Sequence, residues 1–378
     1  MSARVLFVTF NRLSPADQGN ARRAMQMARL YKALGLEVDL LYHCDEGFDP
    51  ALSHTLSQIF GTVRVVPPKV SKRVYKPEHL CHIADWYDPQ LDTACREMHA
   101  LRAYQVVHVN YIWYTPLFKQ FGPEVAKVLD THDIFGDRAQ KYRQAGLEPH
   151  WFSTTIGQED SAIQRADVAL AIQKEEAAEL ATRGHRNILS LPYIEPCVRP
   201  FQATTTQRPL TFGYLGSGND WNVRSMQAFT AKLRQVGSQF AHPMVVAGGI
   251  CKHIPDMPGL IKLGFVKELH TFYDAIDIAI NPMVGGTGLK IKTVEPLSYG
   301  KPVLTTPSGA QGLSHLWQLP IVADPQAMVD YLLQNFQAPN PALVQTLISQ
   351  AQASQQAFEG EYLGQVERFK RWLNSRLH

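Results

Sequence analysis

Short apolar runs alternate with longer amphipathic stretches along most of this chain, and that alternation predicts strands and helices in turn. Arg4 to Asn11 is an apolar run, LSPADQGN reads as a turn, and ARRAMQMARLYKALG sets Met25, Met27, Ala28, Leu30, Tyr31 and Leu34 at helical spacing. Glu37 to Tyr42 reads as the second strand. A mixed, charged region from His43 to Tyr104 follows, with one predicted helix, LDTACREMHALRAY. Gln105 to Asn110 is then a strand, YIWYTPLFKQF the start of a helix, and Val125 to Asp130 a strand running into LDTHDIFGD. Glu159 to Thr182 reads as helix, short strand (ADVALAI) and helix.

Pro192, Pro196 and Pro200 interrupt this series, because proline lacks the N–H that either element would need to continue. A second series begins at Pro209, where LTFGYLGSGNDWNVRSMQAFTAKL reads as strand, glycine turn and helix. Strands are predicted at Met244 to Gly248, at Leu260 to Gly264 and at AIDIAI, the last closed by the turn signal Asn281-Pro282. Glu361 to Leu377 sets Val366, Phe369, Trp372, Leu373 and Leu377 on one face of an amphipathic helix. Strands alternating with helices predict an α/β fold with parallel sheets. No internal sequence repeat is found, although both halves follow the same βα logic.

At 378 residues the chain exceeds the size at which single cores stop growing, about 250 to 300 residues. Two domains are expected: residues 1–198, a linker at 199–208, and residues 209–360. With 45% hydrophobic and 19% charged residues the composition is that of an ordinary α/β protein. A net charge of +3, with no long stripe of Arg and Lys interleaved with aromatics, argues against nucleic acid as a partner. The densest basic run, Lys69 to Lys76, reads as a solvated loop. Five cysteines without Cys-x-x-Cys spacing fit a reducing compartment. MSARVLFVTF enters a strand directly, and no run of about eighteen apolar residues occurs, so a cytoplasmic protein without a leader or membrane span is expected.

Candidate chemistry gathers in Asn281 to Gly300, NPMVGGTGLKIKTVEPLSYG. Gly285, Gly286 and Gly288 lack the Cβ that would hold a ligand off, and a helix starting near Leu289 would aim its positive end at the same spot. Lys290 and Lys292 in or beside its first turn oppose the helix dipole, which makes sense if an anion binds there. Glu295 is placed to accept hydrogen bonds from vicinal hydroxyls such as those of ribose. The plainer reading is a surface helix with solvated Lys and Glu.

Elsewhere, Gly19 and Asn20 stand before the first helix and can present N–H groups to an anion, or Asn20 simply caps the helix. His132 and Asp133 follow a strand's carboxyl end, where open α/β sheets place ligands. Gly213, Gly216 and Gly218 invite comparison with the dinucleotide fingerprint, but the spacing is Gly-x-x-Gly-x-Gly and no suitably placed acidic residue follows. A nicotinamide site is therefore not expected.

The stretch ending in Gly300-Lys301-Pro302-Val303 resembles the donor-binding segment of retaining, GT-B-fold glycosyltransferases of family 4, the glycosyl transferases group 1 type. In that segment two glutamates are separated by seven residues. Glu295 matches the second, while Thr287 stands at the first. The sequence here is similar to the branch writing Gly-x-Arg-x-Lys before the second glutamate, with Lys290 for the arginine and Lys292 for the lysine.

The resemblance implies two Rossmann-like, doubly wound domains facing a central cleft, with the last helix, 361–378, crossing back to the N-terminal domain. It implies transfer of a sugar, with retention, from a nucleotide diphosphate sugar to a glycan or lipid-linked acceptor in polysaccharide biosynthesis. His132, Gly288 and Lys292 are the implied catalytic residues. Gly19, Gly216, Ser217, Val266, Gly286, Thr287, Leu289, Lys290 and Glu295 are the implied donor contacts, Val266 lying where relatives hold the base. No cofactor is expected, and with no Asp-x-Asp motif the lysines take over a metal's electrostatic work. A basic face on the last helix could touch the inner membrane surface. Two other classes stay open: a nucleotide-sugar epimerase using Asp133 and Glu159, and a non-catalytic sugar or nucleotide binder, which Thr287 would permit.

Overall fold

The computed structural model describes residues 2–14, 18–44, 50–68, 80–149, 151–202 and 208–377. Lys69 to Lys76 lie outside the described residues. The chain divides into two compact units, Met1–Tyr193 with Gly364–His378, and Ile194–Leu363. Val198 and Arg199, in and beside the expected linker, both donate their N–H to Ser298 O at 2.7 and 3.0 Å, which ties that segment into the second unit.

The first unit builds β1 (Arg4–Thr9), α1 (Gly19–Ala33), β2 (Glu37–Tyr42), α2 (Pro50–Ser57) and β3 (Val63–Val65). It continues with α3 (Ile83–Trp86), α4 (Gln90–Arg102), β4 (Val106–Asn110) and β5 (Ala126–Asp130). Then come α5 (Arg138–Gln144), α6 (Ile156–Ile163), β6 (Val168–Ala171), α7 (Lys174–Thr182) and β7 (Ile188–Ser190). The strands form one parallel sheet in the order β3-β2-β1-β4-β5-β6-β7. Strands covered on both faces read as near-continuous apolar runs, and β4 and β6 are buried throughout. Chain order reverses between β1 and β4, and the carboxyl ends at such a switch point are where ligands bind in open α/β sheets.

The second unit builds β8 (Phe212–Leu215), α8 (Asp220–Val236), β9 (Met244–Ala247), β10 (Leu260–Gly264) and α9 (Leu269–Asp274). β11 (Ile278–Asn281), α10 (Ile291–Ser298), β12 (Val303–Thr305) and α11 (Pro325–Phe336) complete it, and α12 (Pro341–Leu377) runs on into the first unit's C-terminal segment. Its sheet is parallel, in the order β10-β9-β8-β11-β12, with the switch point between β8 and β11. Both expected series are thus present as doubly wound α/β sheets.

Three local readings are corrected. YIWYTPLFKQF forms a 3-10 run, Ile112–Gln120, rather than an α-helix. Pro116 sits inside it and cannot donate to an α-helical ladder, while Trp113 and Tyr114 are buried completely. The helix expected near Leu289 begins at Ile291, with Lys290 as its N-cap. Helix α1 begins at Gly19 with Gln18 as N-cap, so Asn20 stands in the first turn and does not cap it.

In the last seventeen residues, Phe369 and Leu373 are buried, and Phe369 meets Tyr31 edge-on at 5.8 Å. Arg368, Lys370 and Arg371 are exposed. The apolar face of this segment is thus spent on packing, and its polar side carries the basic residues. No helix among the described residues is long and apolar enough to cross a membrane.

Candidate donor site and its counterpart in the first unit

In the second unit the switch point gathers most of the residues singled out by sequence. β11 ends at Asn281, and the chain passes through Gly285, Gly286 and Gly288 before α10 begins. Gly286 and Gly288 take φ of 104° and 72°, which side chains with a Cβ rarely adopt. Gly285 lies against the ring of Trp221, so closely that a Cβ would stand 2.2 Å from a ring carbon.

Lys290 is buried and folds back over this loop. Its ammonium donates to the carbonyl oxygens of Gly286 (3.2 Å), Thr287 (3.1 Å) and Gly288 (2.7 Å). In a planar trans peptide the N–H points opposite to the C=O. The N–H groups of Thr287, Gly288 and Leu289 are therefore turned away from the ammonium as a set. Lys290 was expected to meet an anion directly; its ammonium instead holds the loop in shape. Ile291 and Lys292 add the first N–H groups of α10, which have no intrahelical acceptor, and no side chain caps them.

Lys292 is half-buried. Enclosure by the protein and, secondarily, the neighbouring Lys290 lower its pKa, and Glu295 partly opposes both, which leaves it at about 8. Glu295 is 4% exposed, and its Oε1 accepts a hydrogen bond from the Tyr273 hydroxyl at 2.6 Å.

The turn after β8 lies across the same switch point. Gly216 donates its N–H to Ala247 O at 3.0 Å. Exposed Ser217 accepts from the side-chain amides of Asn219 (3.3 Å) and Asn222 (3.1 Å), and Asn219 caps α8 by accepting from Asn222 N–H at 2.9 Å. These asparagines build the turn and bring no charge to it. Half-buried Val266 packs against the core of this unit in the segment between β10 and α9, beside exposed Phe265.

In the first unit His132 follows β5 at the carboxyl edge with φ of 62°. Its ring stacks on Tyr111 at 4.1 Å, and its Nε2 lies 2.8 Å from Asn110 Oδ1. Asn110 Nδ2 donates to Val8 O at 2.9 Å, so Oδ1 is the acceptor and His132 carries its proton on Nε2. Burial lowers the His132 pKa to about 4; Asp130 opposes this and Arg23 reinforces it. The ring is neutral at physiological pH.

Beneath it Arg23 of α1 and Asp130 of β5 form a buried ion pair at 2.9 Å. Burial would raise the Asp130 pKa, but Arg23 and the two neighbouring histidines hold it below the usual value. Gly19 opens α1, so its N–H belongs to the helix's first turn. Of the five non-glycine residues at positive φ among those described, Tyr111, His132 and Asp137 belong to the loops after β4 and β5, and Trp151 to the loop after α5.

Asp133 and Glu159, the carboxylates considered for an epimerase, are already engaged. Asp133 accepts from Ile134 N–H at 2.9 Å and lies 3.6 Å from Arg138. Glu159 accepts from Phe135 N–H at 2.6 Å and pairs with Arg183 at 2.7 Å. Both fix the loop after His132. Among the described residues no three His, Cys, Asp or Glu side chains gather as a metal site.

Sequence reasoning did not find Tyr273, Trp221, Asn110 or the Arg23–Asp130 pair. A tyrosine in FYDAIDIAI and an arginine in a helix carry no motif, because their partners are 22 and 107 residues away.

The two parallel sheets have the fold of GT-B glycosyltransferase structures. Residues 209–337 match the family described as glycosyl transferases group 1. The chain therefore carries a group 1 glycosyltransferase domain over those residues. Over its whole length it is similar to HepE of Anabaena, solved in complex with UDP and glucose, at 14% identity and TM-score 0.67, covering 99% of this chain and 100% of that one. It is also similar to sucrose-phosphate synthase from Thermosynechococcus elongatus, at 15% identity and TM-score 0.70, covering 99% and 98%. The lipopolysaccharide outer core galactosyltransferase WaaB matches at 11% identity and TM-score 0.57, covering 96% and 99%. No curated protein matches the chain.

Proposed function

We propose that the protein transfers a sugar, with retention of anomeric configuration, from a nucleotide diphosphate sugar to a glycan or lipid-linked acceptor in polysaccharide biosynthesis. The observation that carries this reading is the loop before α10. Three carbonyls are drawn onto Lys290, which turns three successive N–H groups the other way beside an uncapped helix N-terminus and Lys292. The arrangement suits a diphosphate whose negative charge grows as the glycosidic bond breaks. Fixed donors aimed at developing charge stabilise the transition state more than the ground state.

In this reading Gly286, Thr287, Gly288 and Leu289 hold the diphosphate through the loop, and Lys292 supplies the charge. Lys290 keeps the loop in that shape. Gly216 and Ser217 border the same switch point, Val266 lies by the base, and Glu295 takes the ribose hydroxyls. His132 is a neutral ring with Nδ1 as its proton acceptor, suited to orient a sugar hydroxyl, and Gly19 offers its N–H from the first turn of α1. The donor phosphate itself accepts the acceptor's proton, so no separate base is required. The solved complex of HepE with UDP and glucose makes UDP the first nucleotide to try, and WaaB supports a role in surface polysaccharide assembly. The engaged state of Asp133 and Glu159 weighs against an epimerase.

Calorimetric titration of wild type and Glu295→Ala with UDP, GDP, dTDP and ADP tests the reading. One nucleotide should bind, and the alanine change should weaken it about tenfold, roughly 1.4 kcal/mol. If none binds, the donor site is lost and a non-catalytic component is the better account. If one binds but no acceptor is ever glycosylated, the same alternative holds.

A further inference from the structure

Resting on the donor-site reading above, we propose that Tyr273 is a positioning residue that aims the Glu295 carboxylate at the ribose. The two side chains come from different elements, α9 and α10, and both are buried, at 1% and 4% exposure. The Tyr273 hydroxyl donates to Glu295 Oε1 at 2.6 Å, within the range of a charge-assisted O–H to carboxylate bond. The phenol is itself held: its ring stacks on Tyr299 at 4.3 Å with an interplanar angle of 16°. Tyr299 lies four residues beyond Glu295, at the C-cap of the same helix.

These contacts form a bracket in which the ring fixes the hydroxyl and the hydroxyl fixes one carboxylate oxygen. The carboxylate cannot turn about its last bond without breaking a buried hydrogen bond. Its second oxygen therefore keeps one direction, as bidentate or paired recognition of vicinal hydroxyls requires. The bracket also joins α10 to α9, the helix that follows the Phe265-Val266 segment. The residue assigned to the ribose and the segment assigned to the base are held together through one phenol.

Tyr273→Phe keeps the ring and its stack on Tyr299 and removes only the donor. The measurement is the affinity of wild type, Tyr273→Phe, Glu295→Ala and the double variant for UDP and for 2′,3′-dideoxyuridine diphosphate. If another of the four nucleotides binds instead, that nucleotide and its dideoxy analogue are used. Wild type should prefer the ribonucleotide. Tyr273→Phe should lose about five- to tenfold for the ribonucleotide and nothing for the dideoxy analogue, so its discrimination falls toward that of Glu295→Ala. In the Glu295→Ala background the tyrosine change should add nothing, the non-additivity expected of residues acting through one group.

Equal weakening toward both nucleotides would reduce Tyr273 to a packing role and overturn the proposal, as would an unchanged discrimination. A wild type that binds both nucleotides equally would remove the ribose role of Glu295 and leave the diphosphate site standing. A wild type that binds neither would instead sink the donor-site reading on which this inference rests.

Discussion

At the scale of single residues, Lys292 is the group whose behaviour the structure makes most testable. Its pKa of about 8 arises because enclosure and Lys290 both disfavour its charged form. A diphosphate binds the protonated form, so binding raises that pKa. Affinity for the nucleoside diphosphate should be flat below pH 8, then fall toward tenfold per pH unit above it until the bound-state pKa is reached. Calorimetry from pH 6.5 to 9.5 checks this, and Lys292→Arg, which stays charged, should abolish the decline. A wild-type profile as flat as that of the arginine variant would show that Lys292 does not meet the phosphates. For stability the sign is opposite. The unfolded chain binds more protons between pH 8 and the usual lysine value, so this group's contribution to stability rises with pH over that window.

At the scale of elements, the Arg23–Asp130 pair joins α1 to the end of β5, two residues before His132. Asp130 is wholly buried and Arg23 is 2% exposed. Removing one partner of a buried pair leaves an uncompensated charge, which typically costs about 3 to 5 kcal/mol. Asp130→Asn should therefore lower stability toward chemical denaturant by about that amount, whereas Arg4→Ala, breaking a more exposed pair with Glu37, should cost under about 1 kcal/mol. Equal costs would mean that Asp130 is not a charged partner in the folded protein.

Element existence was readable here because fully buried parallel strands are apolar runs. β4, β5 and β6 fall where those runs are. YIWYTPLFKQF misled because its apolar positions fit a helix and a packed 3-10 run equally well. Periodicity reports which side is buried, not how the backbone bonds.

At the scale of the whole molecule, a chain with two doubly wound sheets and a group 1 glycosyltransferase domain is expected to work with a nucleotide sugar and its own cations. Turnover should be unchanged by EDTA, measured as nucleotide release in the presence of acceptor. Loss of activity on chelation, restored by a divalent ion, would overturn the metal-free reading.

The sequence by itself determined the class. The order of apolar runs dictated two α/β series, and NPMVGGTGLKIKTVEPLSYG carried the glycine loop, its lysines and Glu295 in one uninterrupted stretch. Such local features are legible because a loop and the helix after it are neighbours in sequence as well as in space. Only the tertiary structure decided what the individual charges do. Lys290 turned out to hold the loop rather than point from it, and Glu295 was found bound to a tyrosine 22 residues earlier. His132 owes its neutral form to burial and its tautomer to Asn110, itself 22 residues before it. The physical reason is that a side chain's charge state and direction depend on which donors and acceptors surround it after burial. Those partners come from elements that the fold brings together and the sequence keeps apart.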